Sequence, residues 1–265
     1  MRDKFADVIY KIGKKNRKIA VLVADISPAG SISDFKNEFP ERFINTGVAE
    51  QSMIGIAAGL ALKGMRPFCY TIATFALYRP FEMIRVDLCY QNLPVTIIGM
   101  GAGLVYSTLG GTHHTMEDIA VATAIPNMTV ICPCDPEEMK LATEWCALKS
   151  IGPVYMRLGK KGEKTFTKNA IDSFKIGKIR KVTNGKDVAI ITYGTLISMS
   201  FEVKEKLNNK NIKASIFSCH TIKPLDEIGI LKILKDFKKV IVMEEHVPNG
   251  GLKDKVLSLA FKNKV

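Results

Sequence analysis

Short runs of β-branched and other apolar residues alternate with amphipathic stretches along the whole chain, and this alternation constrains the fold more than any other feature. A strand followed by a helical crossover before the next strand builds a parallel sheet with helices on its faces. Six runs read as strands at 19–24, 42–45, 66–71, 95–99, 129–132 and 154–158. Helices are predicted over 50–63, 77–91 and 136–149, and Phe5, Val8, Ile9 and Ile12 share one face of a leading helix. Residues 1–160 therefore read as one doubly wound α/β domain.

From 159 to 175 the pattern lapses into Gly, Lys and Thr with little apolar periodicity, so 161–175 reads as a linker. A second βα series follows in 176–265, with strands at 188–193, 213–217 and 240–243 and helices at 196–208, 226–236 and 252–261. The expected architecture is two doubly wound α/β domains.

Composition narrows the partners. At 265 residues and 47% hydrophobic, the chain can bury a sizeable core. No apolar run reaches the ~18 residues of a membrane span, and the N-terminus lacks a signal-peptide core, so no membrane and a cytoplasmic location are expected. The six cysteines form no C-x-x-C pair and read as buried thiols rather than a disulfide framework or zinc site. The net charge of +12 suggests nucleic acid, but its distribution argues against that partner. Before residue 160 there are 16 basic against 15 acidic residues; from 160 onward there are 22 against 11, and of those 22 only Arg180 is not lysine. Scattered lysines without interleaved aromatics or arginine forks make a solvated surface.

In open α/β sheets ligands bind at the carboxyl ends of strands, so the strand-to-helix junctions are the places to search. Glu50 follows Thr46-Gly47-Val48-Ala49 and opens an apolar helix, where a carboxylate also complements the helix dipole. Thr74-Phe75-Ala76-Leu77-Tyr78 puts aromatics at a strand end, and Gly110-Gly111-Thr112-His113-His114 puts two histidines in a Gly-rich loop. A two-histidine metal site would need Glu117 or Asp118, which fit a helix N-terminus better.

These landmarks, with Val23-Ala24-Asp25, Phe43-Ile44-Asn45, Pro126-Asn127-Met128, Pro133 with Asp135, and Ile222-Lys223-Pro224-Leu225-Asp226, occur in one order across nearly the whole chain. In that order the sequence resembles the thiamin-diphosphate enzymes of the transketolase family, which include 1-deoxyxylulose-5-phosphate synthase and the β-subunits of 2-oxoacid dehydrogenases. The resemblance implies a pyrimidine-binding domain followed by a transketolase C-terminal-like domain. It implies that Glu50 shares a proton with the cofactor's aminopyrimidine, that Phe75 stacks on that ring with Tyr78 beside it, and that Asp25 and Ile26 lie against the cofactor rings. His113 would face the thiazolium carbon and the donor sugar, and Arg2 and Arg157 would bind substrate phosphate. His220, Asp226, Glu244, Glu245 and His246 match the C-terminal domain and are expected to serve fold and subunit contacts, remote from the chemistry.

Three positions depart from enzymes that act on ordinary sugar phosphates: Gly101 stands for a histidine, Leu109 for an aspartate and Ala29 for a phosphate-binding serine. No Gly-Asp-Gly motif followed about thirty residues on by Asn, the family's device for magnesium and diphosphate, occurs in these residues. The C-terminal domain also ends soon after Gly250-Gly251, earlier than in its relatives. The resemblance thus implies an N-terminal diphosphate-binding partner subunit that holds Mg2+, a heterotetramer, and two-carbon ketol transfer between sugar phosphates. A 2-oxoacid dehydrogenase β-subunit, a 1-deoxyxylulose-5-phosphate-synthase-like fragment, and a non-catalytic binding relic are the alternatives; intact Glu50, Phe75 and His113 argue against the relic.

Overall fold

The computed structural model of the chain describes residues 1–27, 30–160 and 162–265. The first unit runs α1 (Arg2–Lys15), β1 (Ile19–Val23), α2 (Ser31–Glu38), β2 (Phe43–Asn45), α3 (Glu50–Leu62), β3 (Arg66–Ile72), α4 (Ala73–Leu77), α5 (Phe81–Met83), β4 (Thr96–Met100), α6 (Asp118–Ala124), β5 (Thr129–Ile131), α7 (Pro136–Leu148) and β6 (Val154–Leu158). The second runs β7 (Arg180–Lys181), β8 (Val188–Thr192), α8 (Ile197–Asn208), β9 (Ala214–Ser218), β10 (Thr221–Lys223), α9 (Glu227–Asp236), β11 (Val240–Met243) and α10 (Leu252–Asn263).

Both sheets are mixed rather than purely parallel. The first has the order β10-β5-β6-β4-β3-β1-β2, with β10 antiparallel at one edge; the second has the order β11-β8-β9-β7, with β7 antiparallel. The inner strands are buried on both faces. In β1, Ala20 and Leu22 join the core beneath α3, while Ile19, Val21 and Val23 join the core beneath α1 and α7, as a period of two requires. The α3-side core continues through Tyr193, Phe217, Ile230 and Leu252, so the two units share one apolar interior.

The two units share a sheet: β10 lies beyond the linker yet pairs with β5 in the first sheet, Thr221 opposite Ile131. The linker itself is irregular but anchored. Asp135 caps α7 by accepting from the Glu138 amide at 3.0 Å, and it also accepts from the Thr167 amide at 2.6 Å and hydroxyl at 2.9 Å. The single helix predicted over 77–91 is corrected: α4 starts directly after β3, Pro80 interrupts it, and α5 runs into a π-helical segment, Ile84–Tyr90. Proline has no amide hydrogen to continue the ladder, and π segments accommodate the extra residue.

His220 sits inside this junction, its ring stacked on Phe174 at 4.1 Å and its Nδ1 2.9 Å from the Thr221 hydroxyl. Burial, with the Arg180 charge second, pulls it from its ordinary 6.5 down to about 3. The unfolded imidazole takes up a proton below 6.5 and the folded one only near 3, so its contribution is fully present above 6.5 and is lost as pH falls between those values. Stability is expected to fall by up to ~1.4 kcal/mol per pH unit in that window. Chemical denaturation at several pH values should give a shallower dependence in His220→Asn; an unchanged slope would remove His220 as the cause.

Candidate active site

The junctions of interest lie together because β4, β3, β1 and β2 are successive neighbours whose carboxyl ends share one edge. At the end of β1, Asp25 takes a left-handed backbone (φ 49°), a conformation Asp tolerates better than most residues. The Asn45 side chain ties the ends of β1 and β2 together, accepting from the Asp25 and Gly47 amides, each at 3.0 Å. The Asp25 side chain is exposed, and Ile26 is half-buried against the α1-side core. Ala29 lies outside the described residues.

Glu50 is the first residue of α3 and is 3% exposed. A buried carboxylate needs a partner, and Arg79 supplies one: its Nη1 donates to Oε1 at 3.2 Å and to Oε2 at 3.1 Å. The same guanidinium lies over the Phe75 ring, 4.1 Å from the centroid. Carboxylate, guanidinium and aromatic face are thereby brought together. Phe75 and Arg79 stand four places apart, about one helical turn, across α4 and the turn that follows it. Arg79 did not stand out in the sequence; its spacing from Phe75 was the available signal. The Tyr78 hydroxyl donates to Glu117 at 3.1 Å.

His113 completes the cluster from the loop after β4. Its ring meets Phe75 edge-on at 5.1 Å and Tyr106 at 6.0 Å, and its Nδ1 lies 2.9 Å from the Thr112 hydroxyl. Tyr106, which sequence reasoning also missed, carries the Lys160 ammonium over its ring at 4.7 Å. Arg2 is close enough for its charge to act on Tyr106, although burial dominates and raises that phenol. The Arg2 Nε itself donates to Asp3 at 3.1 Å. Among the described residues no group of three or more His, Cys, Asp or Glu is arranged for a metal.

Arg157 is enclosed rather than presented at the open edge. Its side chain is 4% exposed; Nε donates to Asp118 Oδ2 at 2.9 Å and Nη2 to the Glu245 carbonyl at 3.2 Å. Removing one partner of a buried pair leaves an uncompensated charge, so Arg157→Met is expected to cost about 3–5 kcal/mol. Urea unfolding checks this; unchanged stability with a raised KM for phosphorylated substrate would favour the phosphate role. Glu245 is also less remote than expected. It accepts from the Leu104 amide at 3.1 Å, and the Val247 amide donates to the Met116 carbonyl at 2.9 Å, so the second unit braces both ends of the His113 loop.

With this geometry established, comparison with known proteins is direct. Residues 1–162 match the transketolase pyrimidine-binding domain and residues 177–264 the transketolase C-terminal domain. The chain is 32% identical to one of the subunits of the apulose-4-phosphate transketolase of Phocaeicola vulgatus, covering 100% of this chain and 84% of that protein. It is 33% identical to a 6-deoxy-6-sulfo-D-fructose transketolase subunit of Clostridium sp. (strain MSTE9), covering 95% and 78%. A solved structure described as a split gene transketolase, inactive β4 tetramer, superposes with a TM-score of 0.89 at 34% identity, over 100% of this chain and 85% of that one. The chain belongs to the transketolase family and consists of its pyrimidine-binding and C-terminal domains.

Proposed function

We propose that this chain is the pyrimidine-binding subunit of a split, thiamin-diphosphate-dependent transketolase that moves a two-carbon ketol unit between sugar phosphates. The observation that carries this reading is the buried Glu50 carboxylate joined to the Phe75 ring through the Arg79 guanidinium, with His113 edge-on to the same aromatic. The fit to an aminopyrimidine is supported by a stand-in: the Arg79 guanidinium is flat, lies on Phe75 and donates N–H groups to both Glu50 oxygens. A flat ring with N–H donors meets the same two surfaces, and Arg79, whose side chain is 47% exposed, has room to swing aside.

When bound, thiamin diphosphate supplies the carbon nucleophile for ketol transfer. Glu50 would hold a proton on its carboxylate, shared with a ring nitrogen, in surroundings that exclude water and strengthen the bond. Phe75 would fix the plane of the ring, and Asp25 and Ile26 would flank it from the end of β1. His113 has Nδ1 engaged by Thr112, which leaves Nε2 to exchange a proton with a substrate hydroxyl. With Arg157 committed to Asp118, Lys160 and Arg2 are, among the described residues, cations near Tyr106 that could meet a phosphate.

Diphosphate and Mg2+ would be held by a partner subunit bearing the Gly-Asp-Gly motif, in a heterotetramer of two copies of each chain. The test is reconstitution with such a subunit, following two-carbon transfer from a ketose phosphate to an aldehyde acceptor by product analysis. Decarboxylation-driven condensation of pyruvate in place of ketol transfer would assign the chain to the synthase branch instead.

A further inference from the structure

Gly101 follows β4 with a positive φ of 69°. The space is not open. A Cβ built on Gly101 would lie 2.2 Å from Tyr106 Cε2, with two further ring atoms within 3.0 Å. The phenol occupies the volume that a side chain at 101 would fill.

The ring is held there from several sides. Its hydroxyl donates to Met100 Sδ at 3.0 Å, His113 meets it at 6.0 Å, and Lys160 sits over it at 4.7 Å. Burial raises the phenol, so it stays neutral. Its one donor is directed to the Met100 thioether and Lys160 lies over its face, so the ring edge toward His113 presents aromatic carbon. Leu109, half exposed on the same loop, adds no polar group.

We propose that Tyr106 is a specificity-determining residue of this site, its ring filling the space above Gly101 beside His113 and selecting a sugar phosphate that lacks a hydroxyl at the carbon lying against it. This rests on the transketolase reading above. A hydroxyl pressed against the ring loses water without gaining a partner, which corresponds to roughly 10- to 100-fold in catalytic efficiency. An analogue without that hydroxyl loses nothing, so the ring selects by disfavouring the ordinary sugar.

Two measurements test it. In the reconstituted enzyme, kcat/KM is compared for sugar phosphates and their mono-deoxy analogues in wild type, Tyr106→Phe and Tyr106→Ala. At least one deoxy analogue should be preferred by ~10- to 100-fold in wild type, retained in Tyr106→Phe, and lost in Tyr106→Ala. A preference for every ordinary sugar in wild type, or one untouched by Tyr106→Ala, overturns the proposal. The second measurement needs no turnover: a double-mutant cycle of Gly101→Ala and Tyr106→Ala on the denaturation midpoint. The φ strain is common to both backgrounds and cancels, so the steric clash should appear as coupling, with the double substitution milder than the sum. Additive effects overturn the placement of the ring. Coupling without ketol transfer in any form overturns the transketolase reading, and the specificity role with it, while the packing of Tyr106 on Gly101 stands.

Discussion

Glu50→Gln is expected to lower turnover of the assembled enzyme by ~10²- to 10⁴-fold while fold and subunit assembly persist. The carboxylate is 3% exposed and opens α3, where a purely structural acid would complement the helix dipole. If that were its only work, the amide would cost about 0.3–1 kcal/mol of stability and leave turnover alone. The surroundings argue for more. Both oxygens accept from one guanidinium that sits over Phe75, a geometry in which the acid is presented to a planar partner rather than to its own helix amides. Glutamine keeps the shape but carries one acceptor oxygen and cannot hold the shared proton. Hydrogen–deuterium exchange at the thiazolium carbon isolates this step from sugar binding, and it should slow along with turnover. Wild-type exchange in Glu50→Gln would remove Glu50 from the mechanism.

What the sequence disclosed, and what it withheld, follows from the range of the signals. The parallel strands were legible because both of their faces are buried, as the five buried residues of β1 illustrate. β7 and β10 were not, since Arg180–Lys181 and Thr221–Lys223 are short and polar and become strands only by pairing across the fold, with Ser218 and Ile131 among their partners. Pro80 was visible in the predicted helix, yet the start of α4 at Ala73 depends on how the chain leaves β3. Glu50, Phe75 and His113 stood out by motif and do converge, with Phe75 and His113 5.1 Å apart. Arg79 and Tyr106 were missed because their positions depend on contacts with residues 29 and 5 places away, Glu50 and Gly101. The enclosure of Arg157 was hidden for the same reason: Asp118 and Glu245, which surround it, are 39 and 88 residues distant.

Purified alone, the chain is expected to show no measurable ketol transfer, and activity should appear only on mixing with a subunit bearing the Gly-Asp-Gly motif. Part of the argument is chemical: the groups proposed to meet a pyrimidine ring, Glu50, Phe75 and His113, are gathered here around Arg79. Part is physical. Glu50 stands at the head of α3, and the face of that helix turned away from the core carries Gly55, Ile56, Gly59 and Leu62. Among the described residues nothing lies within 4 Å of a Cβ built on either glycine, Leu62 is 61% exposed, and nearby Val48 is 69% exposed. Small residues beside exposed apolar ones let another helix approach closely, and burying that face would shield Glu50 from the partner side. The isolated chain is accordingly expected to self-associate through this face, and Ile56→Lys should shift it toward monomer in analytical ultracentrifugation and prevent activation by the partner. Substantial cofactor binding and turnover by the chain alone would refute the split-site assignment. A monomeric wild type whose Ile56→Lys variant is still fully activated would place the partner elsewhere.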